Sequence, residues 1–181
     1  HEKNILLLLF LTTFIFQANG QGVFDASIHT AVGFGIINSP GAEGPQEIID
    51  QNSMTKFLDF AALDGMGFEV DMLGVTSVVN TIQIVTANDA PERDPTTYEI
   101  SGSIDGTTYT SIVIGEIPSV AERFLPRYFG FPKTISYFFY RVNFTDLCGT
   151  SDIMQVADVQ LFPIIGNAPT IAGLTICEFE V

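Results

Sequence analysis

From Gly22 onward the chain alternates apolar and polar positions with a period of two, and helical periodicity is scarce. Ile82, Ile84 and Thr86 interleave with Gln83 and Val85; Tyr98, Ile100 and Gly102 interleave with Glu99 and Ser101. Phe138, Tyr140, Val142 and Phe144 interleave with Phe139, Arg141 and Asn143. A strand points successive side chains to opposite faces, so each run has one face to bury. Strands are therefore expected at 67–73, 81–87, 97–102, 110–115, 136–144 and 156–162, with a further one at 31–37 and a short helical turn at 46–50. Clusters of Gly, Pro, Asn and Asp separate them, and Asp105-Gly106 marks a tight hairpin turn. Short strands at this spacing imply an all-β fold, an antiparallel jelly-roll β-sandwich of about eight strands spanning 21–163. The sixteen Phe residues, with no Trp beside them, serve mostly its core. Residues 122–132 read as a loop, too irregular for a strand and too rich in Pro and Gly for a helix.

The two ends depart from this pattern. Lys3, an apolar run over 5–16 and the small-residue exit Ala18-Asn19-Gly20 read as a signal peptide over 1–20. That run is shorter than the roughly 20 apolar residues of a membrane span. Residues 164–181 read as a linker and the start of a following segment, so the domain is expected to be part of a longer secreted or cell-surface protein, with no membrane span after signal cleavage. Seven Lys and Arg stand against 21 Asp and Glu, a formal charge of −14. Such a surface repels phosphate backbones and anionic lipid, which argues against nucleic-acid binding and favours divalent cations. Cys148 and Cys177 either pair with each other or leave Cys177 to a downstream partner, and no Cys/His cluster suggests zinc.

Three constellations could carry chemistry. Asp50, Asn52 and Thr55 place three oxygen-bearing side chains within six residues, which suits calcium or, equally, a self-capping Asx turn. In the loop over 88–95, Arg93 lies among Asp89, Glu92 and Asp94. Its guanidinium is expected to clamp Asp89 or Asp94, or else Asp89 and Arg93 face outward to sugar hydroxyls. Arg127, Tyr128 and Phe129 combine a forked donor with flat rings, as a pyranose site requires, and the same residues could fold back over the sandwich end. Catalysis has little to work with. His29 is the only histidine after residue 20, there is no Gly-x-Ser-x-Gly elbow, and no acid/base pair of carboxylates stands out, so the chain is not expected to be an enzyme.

The run from Thr86 to Gly106, TANDAPERDPTTYEISGSIDG, resembles the discoidin-like (coagulation factor 5/8 type C-like) branch of the galactose-binding-like β-sandwich superfamily, where such a string links two core strands. Two further stretches support the resemblance, IDQNSMTKF at 49–57 and MQVADVQLF at 154–162, so that it covers roughly 24–163. In such domains an acidic residue on the last core strand closes an ion site, and Asp158 stands at that place, one methylene shorter than the more usual Glu. The resemblance thus implies a structural calcium held by Asp50, Asn52, Thr55 and Asp158. It also assigns Arg123 and Phe124 to structure. Because this superfamily hosts sugar binders, lipid binders and adhesion modules, fold does not decide ligand. The expected function is a secreted, non-catalytic carbohydrate-binding or adhesion module with a glycan partner; the rival is a structural or protein-interaction module without one.

Overall fold

A computed structural model describes residues 21–62, 65–132 and 135–163. Ten strands are present among them: β1 (Ala31–Gly33), β2 (Phe57–Asp59), β3 (Met66–Asp71), β4 (Val79–Val85), β5 (Pro95–Ser103), β6 (Thr110–Glu116), β7 (Pro126–Gly130), β8 (Phe139–Leu147), β9 (Met154–Val156) and β10 (Asp158–Pro163). They form a five-stranded sheet in the order β1-β3-β8-β5-β6, a three-stranded sheet β10-β4-β7 and a two-stranded ribbon β2-β9. Every pairing is antiparallel. Helical structure among the described residues is minor and includes short 3-10 segments at Pro45–Ile49 and Pro91–Arg93.

Alternation explains the layers. Phe68, Val70, Tyr98, Ile100, Tyr140, Val142 and Phe144 line the inner face of the larger sheet, and Ile82, Ile84, Val159 and Leu161 that of the smaller. The two faces meet where the Tyr98 ring of β5 lies 5.8 Å from the Phe129 ring of β7. Each large apolar side chain removed from water in this way stabilises the fold by about 1.5–3 kcal/mol before conformational entropy is counted. One backbone contact in the larger sheet admits only glycine. Gly67 sits at φ +151, and a Cβ there would lie 2.2 Å from the Val142 carbonyl of β8.

The period-2 reading finds the sandwich and most of its strands; β2 falls in no expected strand, β9 is separate from β10, β1 stops at Gly33, and two further segments differ. Within 122–132, expected to be a loop, β7 forms over five residues between Pro126 and Gly130, paired with Thr81–Val85 of β4. Ser136 to Phe138 precede β8, which runs on to Leu147 instead. The leader at 1–20, the segment at 164–181 and Cys177 lie outside the described residues.

Strand directions put the connections 50–56, 86–94, 117–125 and 148–153 at one end of the sandwich, and 72–78, 104–109, 131–132 and 135–138 at the other. The first end carries both loops singled out by sequence.

Candidate functional site

The loop end is held by two ion clusters, each built on one buried charge, Asp94 or Lys56. In the first, Asp94 ends the 3-10 turn at Pro91–Arg93, and both its oxygens accept from Arg123, Oδ1 from Nη1 at 3.0 Å and Oδ2 from Nη2 at 2.6 Å. The same guanidinium donates to the carbonyls of Asp89, Val120, Ala121 and Glu122. One side chain thereby ties the 117–125 connection to the 86–94 loop. Burial pushes the Asp94 carboxyl above its ordinary range, and the Arg123 bonds and charge pull it back.

This corrects the expectation for Arg93. Its Nε lies 4.0 Å from Glu92 Oε1, with both side chains half-buried, and it pairs with neither Asp89 nor Asp94. The 3-10 turn is the reason: it separates Arg93 from both carboxylates, which bond instead to cations distant in sequence. Arg123, assigned to structure by the resemblance, is the clamp.

The second cluster centres on Lys56, which is 8% exposed. Its Nζ donates to Asn88 Oδ1 at 2.9 Å, Asp89 Oδ1 at 3.1 Å and Gln155 Oε1 at 3.1 Å. Gln155 Nε2 in turn donates to the carbonyls of Asp89 and Ala90. These bonds hold Ala90 in the left-handed region at φ 46 without a glycine.

Phe124 lies beside this cluster. Its N–H donates to the Thr86 carbonyl at 3.1 Å, the Leu125 N–H donates to Thr86 Oγ1 at 2.9 Å, and that hydroxyl donates to the Glu122 carbonyl at 3.0 Å. The chain at Phe124 takes φ 58, and its side chain remains 38% exposed. Of the four non-glycine residues at positive φ among those described, Gln51, Ala90 and Phe124 all belong to this end. A left-handed conformation costs an L-residue about 1–2 kcal/mol, and strain of that kind gathers where a side chain must be presented rather than packed.

The Arg127, Tyr128 and Phe129 group does not form one surface. In a strand, neighbours face opposite ways. Arg127 and Phe129 pair with Ile84 and Ile82 and point between the sheets, so Arg127 is only 6% exposed and donates through Nη1 to the Pro118 carbonyl. Tyr128 faces the other side, where its hydroxyl accepts from Gln83 Nε2 at 2.5 Å and its ring lies 6.1 Å from that of Phe162. Formation of β7 thus turns this expected fork and its rings into packing.

The loop at 50–55 closes on itself. Asp50 Oδ1 accepts from the Asn52 N–H at 2.9 Å and Oδ2 from Thr55 Oγ1 at 2.7 Å, while Asn52 Oδ1 accepts from the Met54 N–H at 3.1 Å. Asp158, at the start of β10, accepts from the Gln51 N–H at 2.9 Å. Burial pushes its carboxyl up to about 7, the hydrogen bonds from Gln51 and Gln160 oppose this, and the Asp50 charge adds to it. Oxygen-rich side chains of this kind match a hard cation. Among the described residues no three His, Cys, Asp or Glu side chains gather as a metal cluster.

Sequence reasoning passed over Lys56 and Gln155, and it assigned Phe124 to structure, whereas the ring stands 38% exposed. The first two occur inside the stretches that carry the resemblance, and a lysine directly before a buried Phe57 at the start of β2 is the one signal that could have marked the cluster.

Two antiparallel sheets closed over one core, with elaborate loops at one end, form a β-sandwich with the fold seen in discoidin-like and family 32 carbohydrate-binding domains. The fold is similar to that of CpGH89CBM32-5 from Clostridium perfringens, solved in complex with GalNAc-β-1,3-galactose, at a TM-score of 0.61 and 17% identity over 76% of this chain and 96% of that one. The family 32 carbohydrate-binding module of C. perfringens NanJ, in complex with galactose, gives 0.59 and 18% over 76% and 95%. An F5/8 type C domain from Bacteroides fragilis gives 0.66 and 12% over 81% and 97%. No family model and no curated protein matches the sequence. Identities this low establish the fold and leave the ligand to the site.

Proposed function

We propose that this chain is a secreted, non-catalytic carbohydrate-binding module whose glycan site lies at the loop end, between the 86–94 and 117–125 connections. The observation that carries the reading is Phe124, a ring left exposed on a left-handed backbone beside the exposed Asn88 and Asp89. Aromatic faces stack on the C–H face of a pyranose, and a carboxamide and a carboxylate exchange hydrogen bonds with its hydroxyls. Three of the structures sharing this fold were solved with sugars bound, one of them 4,5-unsaturated mannuronic acid. Each hydroxyl exchanges water for a protein partner at a net gain of about 0.5–1.5 kcal/mol, so a single shallow site binds in the micromolar to millimolar range. Useful retention on a surface then comes from multivalent display within a longer protein.

The loop at Asp50, Asn52 and Thr55, with Asp158, fits a structural calcium, which would supply a positive charge against the buried Asp158 carboxyl. A glycan array probed with and without a calcium chelator tests both parts: binding to a defined set of glycans is expected, and no binding to any sugar overturns the reading. A second reading, a protein-interaction module, is favoured by the exposed Leu73, Val75, Ile104 and Ile135 at the opposite end. No helix of the described residues is long and apolar enough to cross a membrane.

A further inference from the structure

An ammonium has three N–H donors and no acceptor, so each partner must turn an oxygen toward it. Lys56, nearly removed from water, therefore decides how Asn88 and Asp89 stand. The Asn88 carboxamide gives Oδ1 to Lys56, which leaves Nδ2 as the free end of an exposed residue. Asp89 gives Oδ1 to the same ammonium, which leaves Oδ2 free on a side chain that is 55% exposed. Neither Asn88 Nδ2 nor Asp89 Oδ2 has another hydrogen bond among the described residues. Gln155 is polarised in the same sense, Oε1 to the ammonium and Nε2 to the carbonyls of Asp89 and Ala90, so the backbone below the pair is fixed as well.

We propose that Lys56 is the positioning residue of the glycan site: it presents one outward amide donor at Asn88 and one outward carboxylate acceptor at Asp89, and this pair selects a sugar that donates a hydroxyl to Asp89 and carries no carboxylate of its own. The inference rests on the carbohydrate reading and adds the ligand class to it. Without Lys56 the Asn88 amide can flip end for end and the Asp89 carboxylate can rotate, and the donor–acceptor order is lost. An acidic sugar would set its own charge against Asp89 Oδ2, while Lys56 and Arg123 are already engaged by protein oxygens and Arg93, in the same loop, has Glu92 4.0 Å away.

The test has two arms, both on the full domain. The first is free of ligand. In Lys56→Met the side-chain amide signals of Asn88 are expected to move to those of a solvent-exposed asparagine, while signals from β5 and β8 stay in place; unmoved Asn88 signals overturn the positioning role. The second arm sets galactose-terminated against galacturonate-terminated glycans on one array. Wild type is expected to favour galactose at least tenfold, Lys56→Met to lose at least tenfold of that affinity, Lys56→Arg to restore part of it, and Asp89→Asn to raise galacturonate binding. Equal wild-type binding of the two sugars, or full galactose affinity in a Lys56→Met whose Asn88 signals have moved, overturns the proposal. If wild type binds no glycan, the carbohydrate reading and the ligand class fail together, and the first arm still decides the role of Lys56. Should Lys56→Met not fold, the selectivity of Asp89→Asn decides the ligand class and the Asn88 signals of Lys56→Arg the positioning.

Discussion

Replacing Arg123 by Met leaves the Asp94 carboxylate buried without its fork. The Arg123 side chain is 15% exposed and that of Asp94 6%, so the pair lies outside the surface regime in which ion pairs contribute about 1 kcal/mol or less. Removing one partner of a buried pair costs about 3–5 kcal/mol, and the solvent reaching Arg123 places the expectation near the lower bound, about 3 kcal/mol. For a domain of this size that is a fall in melting temperature on the order of 10 °C. The cost should depend on pH in a defined direction. Asp94 already has its carboxyl raised by burial, with Arg123 the main opposing influence, so loss of Arg123 raises it further. A carboxyl raised above its unfolded value of 3.8 contributes stability that is fully present below that value and is lost as pH climbs through the folded value. The deficit of Arg123→Met is therefore largest at neutral pH and shrinks as pH falls and Asp94 takes up its proton. Urea midpoints across this range, with Arg93→Met in parallel, measure it. Arg93→Met should cost less than about 1 kcal/mol at any pH, because its contact with Glu92 is long and only half-buried. Equal losses for the two arginines, or a deficit for Arg123→Met that does not vary with pH, would refute the reasoning. Adding Asp94→Asn to Arg123→Met should recover most of the loss, since the stranded charge is its main source.

Three further outcomes follow from the same geometry. With chelator present, wild type should lose up to about 4 kcal/mol between pH 4 and 7 as Asp158 ionises, the product of a rise from 3.8 to about 7 and 1.36 kcal/mol per unit; Asp158→Asn should flatten that slope, added calcium should oppose it in wild type alone, and an unchanged slope in Asp158→Asn would exclude Asp158 as its source. Gly67→Ala should destabilise by about 3 kcal/mol or prevent folding, because the new methyl meets the Val142 carbonyl rather than a side chain that can move; a thermal midpoint within a degree of wild type would contradict this. Arg127→Ala with Tyr128→Ala should lower the melting temperature substantially, since both side chains pack and bond within the sandwich, and a stable double variant that has lost only glycan binding would return them to the site.

Strands with one buried face were legible because alternation is itself the physics of a half-buried strand: Tyr140, Val142 and Phe144 could point only one way. β7 was hidden because Pro126 and Gly130 bound a run of five whose middle residues Arg127, Tyr128 and Phe129 show no contrast between faces. The site was less legible for a different reason. Arg93 lies beside Asp94 in sequence, yet the carboxylate bonds to an arginine 29 residues away, and proximity along the chain says nothing of that. Lys56 was passed over because long charged side chains seldom lie inside, and only the meeting of β2, β9 and the 86–94 loop supplies its three acceptors. The calcium-type loop was visible as local spacing, and its bond to Asp158 through Gln51 spans 107 residues.

The central claim is that Phe124, with Asn88 and Asp89, forms a glycan platform, and one variant separates that role from packing. Phe124→Gly removes the exposed ring and at the same time relieves the φ 58 backbone, so strain relief and added chain freedom nearly offset and stability should change by no more than about 1 kcal/mol. Affinity for the best-bound glycan of an array, measured by titration calorimetry for wild type and for Phe124→Gly, should then fall at least tenfold in the variant at an almost unchanged melting temperature. A Phe124→Gly protein that binds as wild type does, or a wild type that binds no glycan, would contradict the account.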